Sequence, residues 1–256
     1  MTELQGGAIF DTHAHYDDPA FDPDREELLA RLPEEGVCGV INCGCDLASS
    51  KAALALAERY PYVYAAVGLH PENTSAPALD WLPALAAHPK CVAIGEIGLD
   101  WHWAAPNDAD RAVFADQLDL AVQLDKPVIV HDREAHGDVF DLVRTRPLRG
   151  VMHCYSGSWE EARQLLERGW YLGFGGALTF RNARKAVEVV GRMPLDRLLL
   201  ETDAPYMAPV PLRGQRCDSS MILHTARRAA EIRGVSLRTI LDATVNNALS
   251  LFNCKL

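Results

Sequence analysis

The chain lacks paired cysteines, a long apolar run, a glycine-rich phosphate loop and any surplus of basic residues. Among its 256 residues are seven cysteines, an odd number, with no C-x-x-C pair. Cys43 and Cys45 stand too close on one extended segment to form an ordinary bridge. This usage speaks against a disulfide scaffold and for reduced thiols serving as small apolar residues in a cytoplasmic protein. No apolar stretch is long enough to span a bilayer, and residues 1–7 hold no basic segment followed by an apolar run, so neither a membrane anchor nor a signal peptide is expected. Lys and Arg number 25 against 35 Asp and Glu, a net charge of −10. Such a chain binds nucleic acid or anionic membrane poorly by bulk attraction, so an acidic substrate must be held locally, by metals or a few arginines. There is no linker-like, low-complexity or solenoid-repeat segment either.

What is present is alternation. Short apolar runs cover residues 9–15, 38–44, 63–70, 91–99, 127–131, 150–154, 170–174 and 198–203. Several are apolar without a polar face, as in parallel strands covered on both sides. Amphipathic helical patterns fall between and after them, at 25–35, 49–59, 79–88, 108–124, 134–144, 160–168, 183–192 and 222–233. Ser49-Ser50, Asn107-Asp108 and Ser158 are candidate N-caps, and Pro61, Pro89, Pro127 and Pro147 stand where helices should stop. Eight strands alternating with eight helices predict an α/β chain folded as one (β/α)8 TIM barrel over residues 1–256. The 48% hydrophobic content suits a single large core. An open doubly wound sheet is the rival, but it usually announces itself with a glycine-rich loop after the first strand. Here that strand ends in Asp-Thr-His-Ala-His. A further helix, 237–251, is expected to pack on the outside at the C-terminus.

The same strand ends carry the chemistry. His13 and His15 are two apart on a strand and so point the same way. Two adjacent imidazoles in a core are costly unless something satisfies them, and a metal does. Glu96, His131, His153 and Asp203 likewise close apolar runs, with Glu96 near the end of the fourth strand. Barrel enzymes take their catalytic groups from that end. Six ligand-type residues on five strands point to a metal centre. Imidazole with carboxylate and no cysteine pair excludes a thiolate zinc site and suits Zn, Mn, Fe or Ni, or Mg with water. Six ligands exceed the needs of one tetrahedral ion, so two divalent ions (Mg, Mn or Zn) are expected, with Glu96 as the bridge.

Phe10-Asp11-Thr12-His13-Ala14-His15, Gly95-Glu96-Ile97-Gly98-Leu99-Asp100, Val130-His131-Asp132-Arg133, His153-Cys154-Tyr155-Ser156-Gly157 and Leu200-Glu201-Thr202-Asp203-Ala204-Pro205-Tyr206 together resemble the TatD family of metal-dependent hydrolases, which includes DNases. Gly68-Leu69-His70-Pro71 and Thr179-Phe180-Arg181-Asn182-Ala183 extend the likeness over nearly the whole chain. The resemblance implies that His13, His15, Glu96 and Asp203 hold one ion, and Glu96, His131 and His153 the other. It implies hydrolysis of phosphodiester bonds in DNA, and in RNA as a further substrate, often from an end. Glu96 and Asp203 are then the catalytic carboxylates, Asp203 orienting the attacking water and taking its proton.

Expected substrate contacts are His70, Arg133, Arg181, Arg213 and Tyr206, with Arg216 also near the mouth and Trp101, Trp103 and Phe180 available to stack bases. Arg184 and Lys185 read as ordinary surface charge. The partner is then single-stranded nucleic acid, with no membrane and no obligate protein. Departures from the family pattern are Leu212 for a common His, Asp132 for a common Ser, and Cys217-Asp218-Ser219 where Asn-Glu-Pro is usual. These changes and the acidic charge leave open a small phosphoester, ester or cyclic amide as the substrate instead. A vestigial binding protein is disfavoured by the complete ligand set, and a base deaminase by the missing P-C-x-x-C pattern.

Overall fold

Eight parallel strands, in the order β1 to β8, form a nearly closed barrel in the computed structural model, which describes residues 7–74, 78–103 and 105–255. They are β1 (Ile9–Ala14), β2 (Val37–Cys43), β3 (Val63–Val67), β4 (Cys91–Asp100), β5 (Val128–Arg133), β6 (Gly150–Met152), β7 (Tyr171–Phe174) and β8 (Leu198–Leu200). The helices are α1 (Arg25–Arg31), α2 (Leu47–Arg59), α3 (Leu82–Ala86), α4 (Asp108–Gln123), α5 (His136–Val143), α6 (Trp159–Glu167), α7 (Arg184–Arg192), α8 (Ile222–Arg233) and α9 (Leu237–Phe252). The seam between β1 and β8 closes beyond the strand ends. Asp203 N–H donates to His13 O at 2.9 Å, and His15 N–H donates to Ala204 O at 2.7 Å. The expected eight-stranded barrel is therefore the fold. Residues 1–6, where a signal peptide would begin, lie outside the described residues. No helix among the described residues is long and apolar enough to cross a membrane.

Local chemistry explains where the elements differ from the sequence pattern. The first helical run breaks after Arg31, and Leu32–Glu35 forms a 3-10 turn, because Pro33 supplies no N–H to continue the α-helical ladder. Helix α2 starts earlier than expected. Its N-cap is Asp46, whose carboxylate accepts from Ser49 N–H at 2.7 Å, so Ser49 is the third helical residue and not the cap. Asn107 and Ser158 do cap α4 and α6. Helix α3 has only five residues, with Pro83 at its second position and Pro89 three residues past its end.

The C-terminal helix also differs. Besides touching the outer wall, α9 reaches under the barrel. Asn247 Nδ2 donates to Leu195 O and Leu198 O at 2.9 and 2.8 Å, at the foot of β8. Eight residues on, Lys255 O accepts from Tyr64 Oη at the foot of β3. Around these points Val245, Ala248, Leu251 and Phe252 meet Phe10, Ile41, Tyr64, Ile129, Tyr171 and Leu199 from the barrel interior. These side chains leave little room. A Cβ at Gly39 would come within 2.3 Å of the Phe10 ring, so that position needs glycine. The interior is thus a sealed apolar floor at one end, leaving the other for polar groups.

Candidate metal centre

The six candidate ligands converge at the open end of the barrel. His13 lies in β1, where the register with β2 shifts between Asp11 and Ala14, and His15 follows one residue after the strand. Glu96 is interior to β4 and not near its end. Gly98, Leu99 and Asp100 continue to pair with His131, Asp132 and Arg133, which lengthens the strand beyond the apolar run. His131 is in β5, whereas His153 follows β6, docked by its N–H on Val130 O at 2.9 Å. Asp203 is three residues past β8 with φ 65°, a left-handed geometry that Asp tolerates better than bulkier residues.

Two groups of donor atoms face the two oxygens of Glu96. Toward Oε2 lie His13 Nε2 at 3.2 Å and His15 Nε2 at 3.6 Å. The two imidazole nitrogens are 3.0 Å apart, and Asp203 Oδ1 is 3.8 and 3.5 Å from them. Toward Oε1 lie His131 Nδ1 at 2.9 Å, His70 Nε2 at 3.7 Å and His153 Nε2 at 4.0 Å. His153 Nε2 is also 3.7 Å from Asp203 Oδ1, and its ring stacks on His13 at 3.5 Å.

The chemistry of the donor set fits a cation. His15 Nδ1 lies 2.8 Å from Cys43 O, an acceptor only, so His15 donates there, and in the neutral ring that a metal requires it is Nε2 that turns its lone pair inward. That lone pair faces His13 Nε2 and two carboxylate oxygens. Acceptors gathered this closely repel unless a proton or metal lies between them. Ligands about 2.0–2.2 Å from one ion are themselves about 3–3.5 Å apart, close to the spacings among His13, His15 and Glu96. His70, Glu96 and His131 form a second group, while His153 groups with His13 and Asp203 and not with His131. Burial would push Glu96 and Asp203 toward protonation, but the surrounding imidazoles overcome it and hold both carboxyls below their usual range. Burial lowers His70 to about 4, so it stays neutral. His131 rises to about 9, because Asp100 and Glu96 outweigh its burial.

Three buried carboxylates stand behind the ligands without having been expected there. Asp100 Oδ2 is 3.0 Å from His131 Nε2, and Glu201 Oε2 is 3.1 Å from His153 Nδ1. Asp11 accepts from Thr202 Oγ1 at 2.6 Å, Thr202 N–H at 3.0 Å, Ser219 Oγ at 2.7 Å and His13 N–H at 3.2 Å. Burial raises its carboxyl to about 7. Asp11 joins β1 to the segment after β8 and so holds His13 beside Asp203. Ser219, from the departing Cys217-Asp218-Ser219 stretch, is fully buried in this bracing and does not line the mouth. The only sequence signal for such groups is an acidic residue inside an apolar run.

The expected substrate contacts divide. His70 is buried against Glu96 and His131, its Nδ1 taken by Glu72 N–H at 3.2 Å. Arg133, Arg181 and Arg213 are exposed, Arg133 lying over the Trp103 ring and Arg213 over Phe180, 5.4 and 4.2 Å from the centroids. Tyr206 is exposed, with its hydroxyl on Asp18 Oδ2 at 2.8 Å. Two others are structural. Arg216 makes a two-pronged pair with Asp24 at 2.7 and 2.6 Å, and Trp101 packs under Arg111 while donating to Asp138 at 2.8 Å.

Comparison with known proteins agrees with this architecture. A model of the family described as TatD related DNase matches residues 10–253. The metal-dependent hydrolase YabD of Bacillus subtilis is 40% identical, over 95% of this chain and 98% of its own length. A protein of Escherichia fergusonii named 3'-5' ssDNA/RNA exonuclease TatD is 33% identical over 95% of this chain and 98% of its own. The crystal structure of YjjV from Escherichia coli superposes with a TM-score of 0.88 at 34% identity, covering 96% of this chain and 98% of that one. The chain belongs to the TatD family of metal-dependent hydrolases.

Proposed function

We propose that this hydrolase is a nuclease that cleaves phosphodiester bonds in single-stranded DNA or RNA with two divalent ions, Mg, Mn or Zn. The observation that carries the reading is Glu96, whose Oε2 faces His13 and His15 while its Oε1 faces His131. One carboxylate facing two donor groups would suit two ions held side by side, one at each oxygen. In the proposal His13, His15, Glu96 and Asp203 hold one ion, and Glu96, His131 and His153 the other. Bound there, the ions supply an acidified water and neutralise the charge that builds on phosphate. Asp203, held ionised and the most open of these carboxylates at 22% exposure, takes the proton of the attacking water.

Two arginine–aromatic pairs at the mouth, Arg133 with Trp103 and Arg213 with Phe180, support a single-stranded substrate. Arginine offers phosphate a two-pronged contact, and an exposed ring such as Trp103 accepts a base face. Arg181, Tyr206 and the neutral imidazole of His70 complete the proposed contacts. The name of the Escherichia fergusonii relative favours the same substrate class.

The test is incubation of manganese-loaded protein with end-labelled single-stranded DNA and RNA. Shortening of the chains that disappears with chelator and with His15→Ala supports the proposal. Intact polymer alongside turnover of small phosphoesters contradicts it.

A further inference from the structure

Every candidate metal-binding histidine has a polar group behind its remaining nitrogen, and these groups differ in kind. His15 has the carbonyl of Cys43 at 2.8 Å, and His13 has the Cys43 thiol at 3.5 Å. His131 and His153 have carboxylates, Asp100 and Glu201, both fully enclosed with 2% and 0% of their side chains exposed. Each carboxylate is also engaged at its other oxygen by a backbone donor. Asp100 Oδ1 accepts from His102 N–H at 2.9 Å, and Glu201 Oε1 from Cys154 N–H at 2.6 Å. Those N–H groups fix which oxygen is left for the imidazole. For Glu201 and His153 the facing atoms are 3.1 Å apart but short of hydrogen-bond alignment, and neither has another partner.

We infer that Asp100 and Glu201 are positioning residues that set the tautomers of His131 and His153. By accepting N–H from His131 Nε2, Asp100 keeps a proton there and leaves Nδ1, 2.9 Å from Glu96 Oε1, as the nitrogen that gives up its proton to a metal. By standing 3.1 Å behind His153 Nδ1, the Glu201 carboxylate favours the proton on that nitrogen and leaves Nε2 to face Glu96 and Asp203. The two rings thus turn opposite nitrogens toward the same hollow, and only an acceptor placed behind each one makes that nitrogen a donor of electrons. The inference rests on the proposed ligand roles of these two imidazoles.

Control of the tautomers has a counterintuitive consequence. In Asp100→Asn and Glu201→Gln the amide oxygen is claimed by the backbone N–H, so the NH2 group must face the imidazole. That imidazole then has to accept, which moves its proton to the nitrogen meant for the metal. The isosteric amides should therefore harm metal binding more than the truncations Asp100→Ala and Glu201→Ala, which remove the acceptor without imposing the wrong tautomer. Packing loss alone gives the opposite order.

The experiment is manganese titration of the full-length metal-free protein and these four variants, counting bound ions by electron paramagnetic resonance, with melting curves to establish that each is folded. Wild type is expected to hold two ions. The amide variants should lose about 10–100-fold in affinity at one of the two, with the alanine variants falling less. Two ions held equally tightly in all variants, or alanines weaker than amides, would overturn the positioning role and leave the two-ion reading standing. A single ion in wild type, weakened by the amides beyond the alanines, would support the positioning role and overturn the two-ion reading. A single ion unaffected by any variant would overturn both. Asp100 and Glu201 report separately, so a variant that fails to fold leaves the other pair to decide.

Discussion

The two ends of the barrel are built on opposed principles. At the floor, Phe10, Ile41, Tyr171 and Leu199 meet Leu251 and Phe252 of α9 in a closed apolar cluster. At the mouth, the same strands gather four imidazoles and two carboxylates within 2.9–4.0 Å contacts about Glu96 and Asp203. Apolar packing at the floor gains free energy from every atom removed from water. Acceptors crowded at the mouth gain nothing until a cation joins them. The floor therefore carries stability and the mouth carries function, and substitutions at each end should separate the two.

The largest separation is expected at Asp203. Asp203→Asn should lower kcat on single-stranded DNA by about 10²–10⁴-fold, the usual contribution of a positioned proton acceptor, with little change in the melting temperature. Equal kcat in steady-state assays would remove Asp203 from the chemistry. Phe252→Ala should do the reverse. Loss of a ring from the closed floor should cost about 3–5 kcal/mol in denaturant unfolding, while the folded fraction keeps its kcat. Comparable loss of kcat would mean that the ends are not independent.

Ser219→Ala probes the bracing between them. It deprives the buried Asp11 carboxylate of one of its four donors and the buried Tyr16 hydroxyl of its acceptor, which should cost about 1–3 kcal/mol, because a buried polar group left unpaired carries its desolvation penalty. It should also weaken metal affinity, since Asp11 holds His13 beside Asp203. Unfolding curves paired with metal titration test both effects. The smallest effect belongs to the rim. Arg213→Ala should raise KM for single-stranded DNA with kcat unchanged, and should reduce the slope of log KM against log salt by about 0.7, the share of one phosphate contact. An unaltered salt slope would make Arg213 a surface charge stacked on Phe180 and nothing more.

The barrel was legible in the sequence because parallel strands buried on both faces leave uninterrupted apolar runs, and those runs recur with helices between them. The convergence of His13, His15, Glu96, His131, His153 and Asp203 was legible too, since a polar residue closing each run shares one end of the barrel. The carboxylates behind them were not legible. Asp100 and Glu201 act through partners 31 and 48 positions away, and Asp11 reaches one 191 positions away, and nothing in a one-dimensional pattern pairs them. The place of α9 was hidden for a related reason. Amphipathic periodicity announces a buried face but not the surface that buries it. Arg216 and Ser219 looked like parts of the mouth by loop position, yet their partners Asp24 and Asp11 draw them into the frame.

The central claim is that Glu96 joins two cation sites, one at each oxygen. Anomalous diffraction from a crystal soaked in manganese tests it most directly. Two peaks about 3.5–4 Å apart are predicted, with the Glu96 carboxylate between them. One peak alone, or two that do not share Glu96, would contradict it.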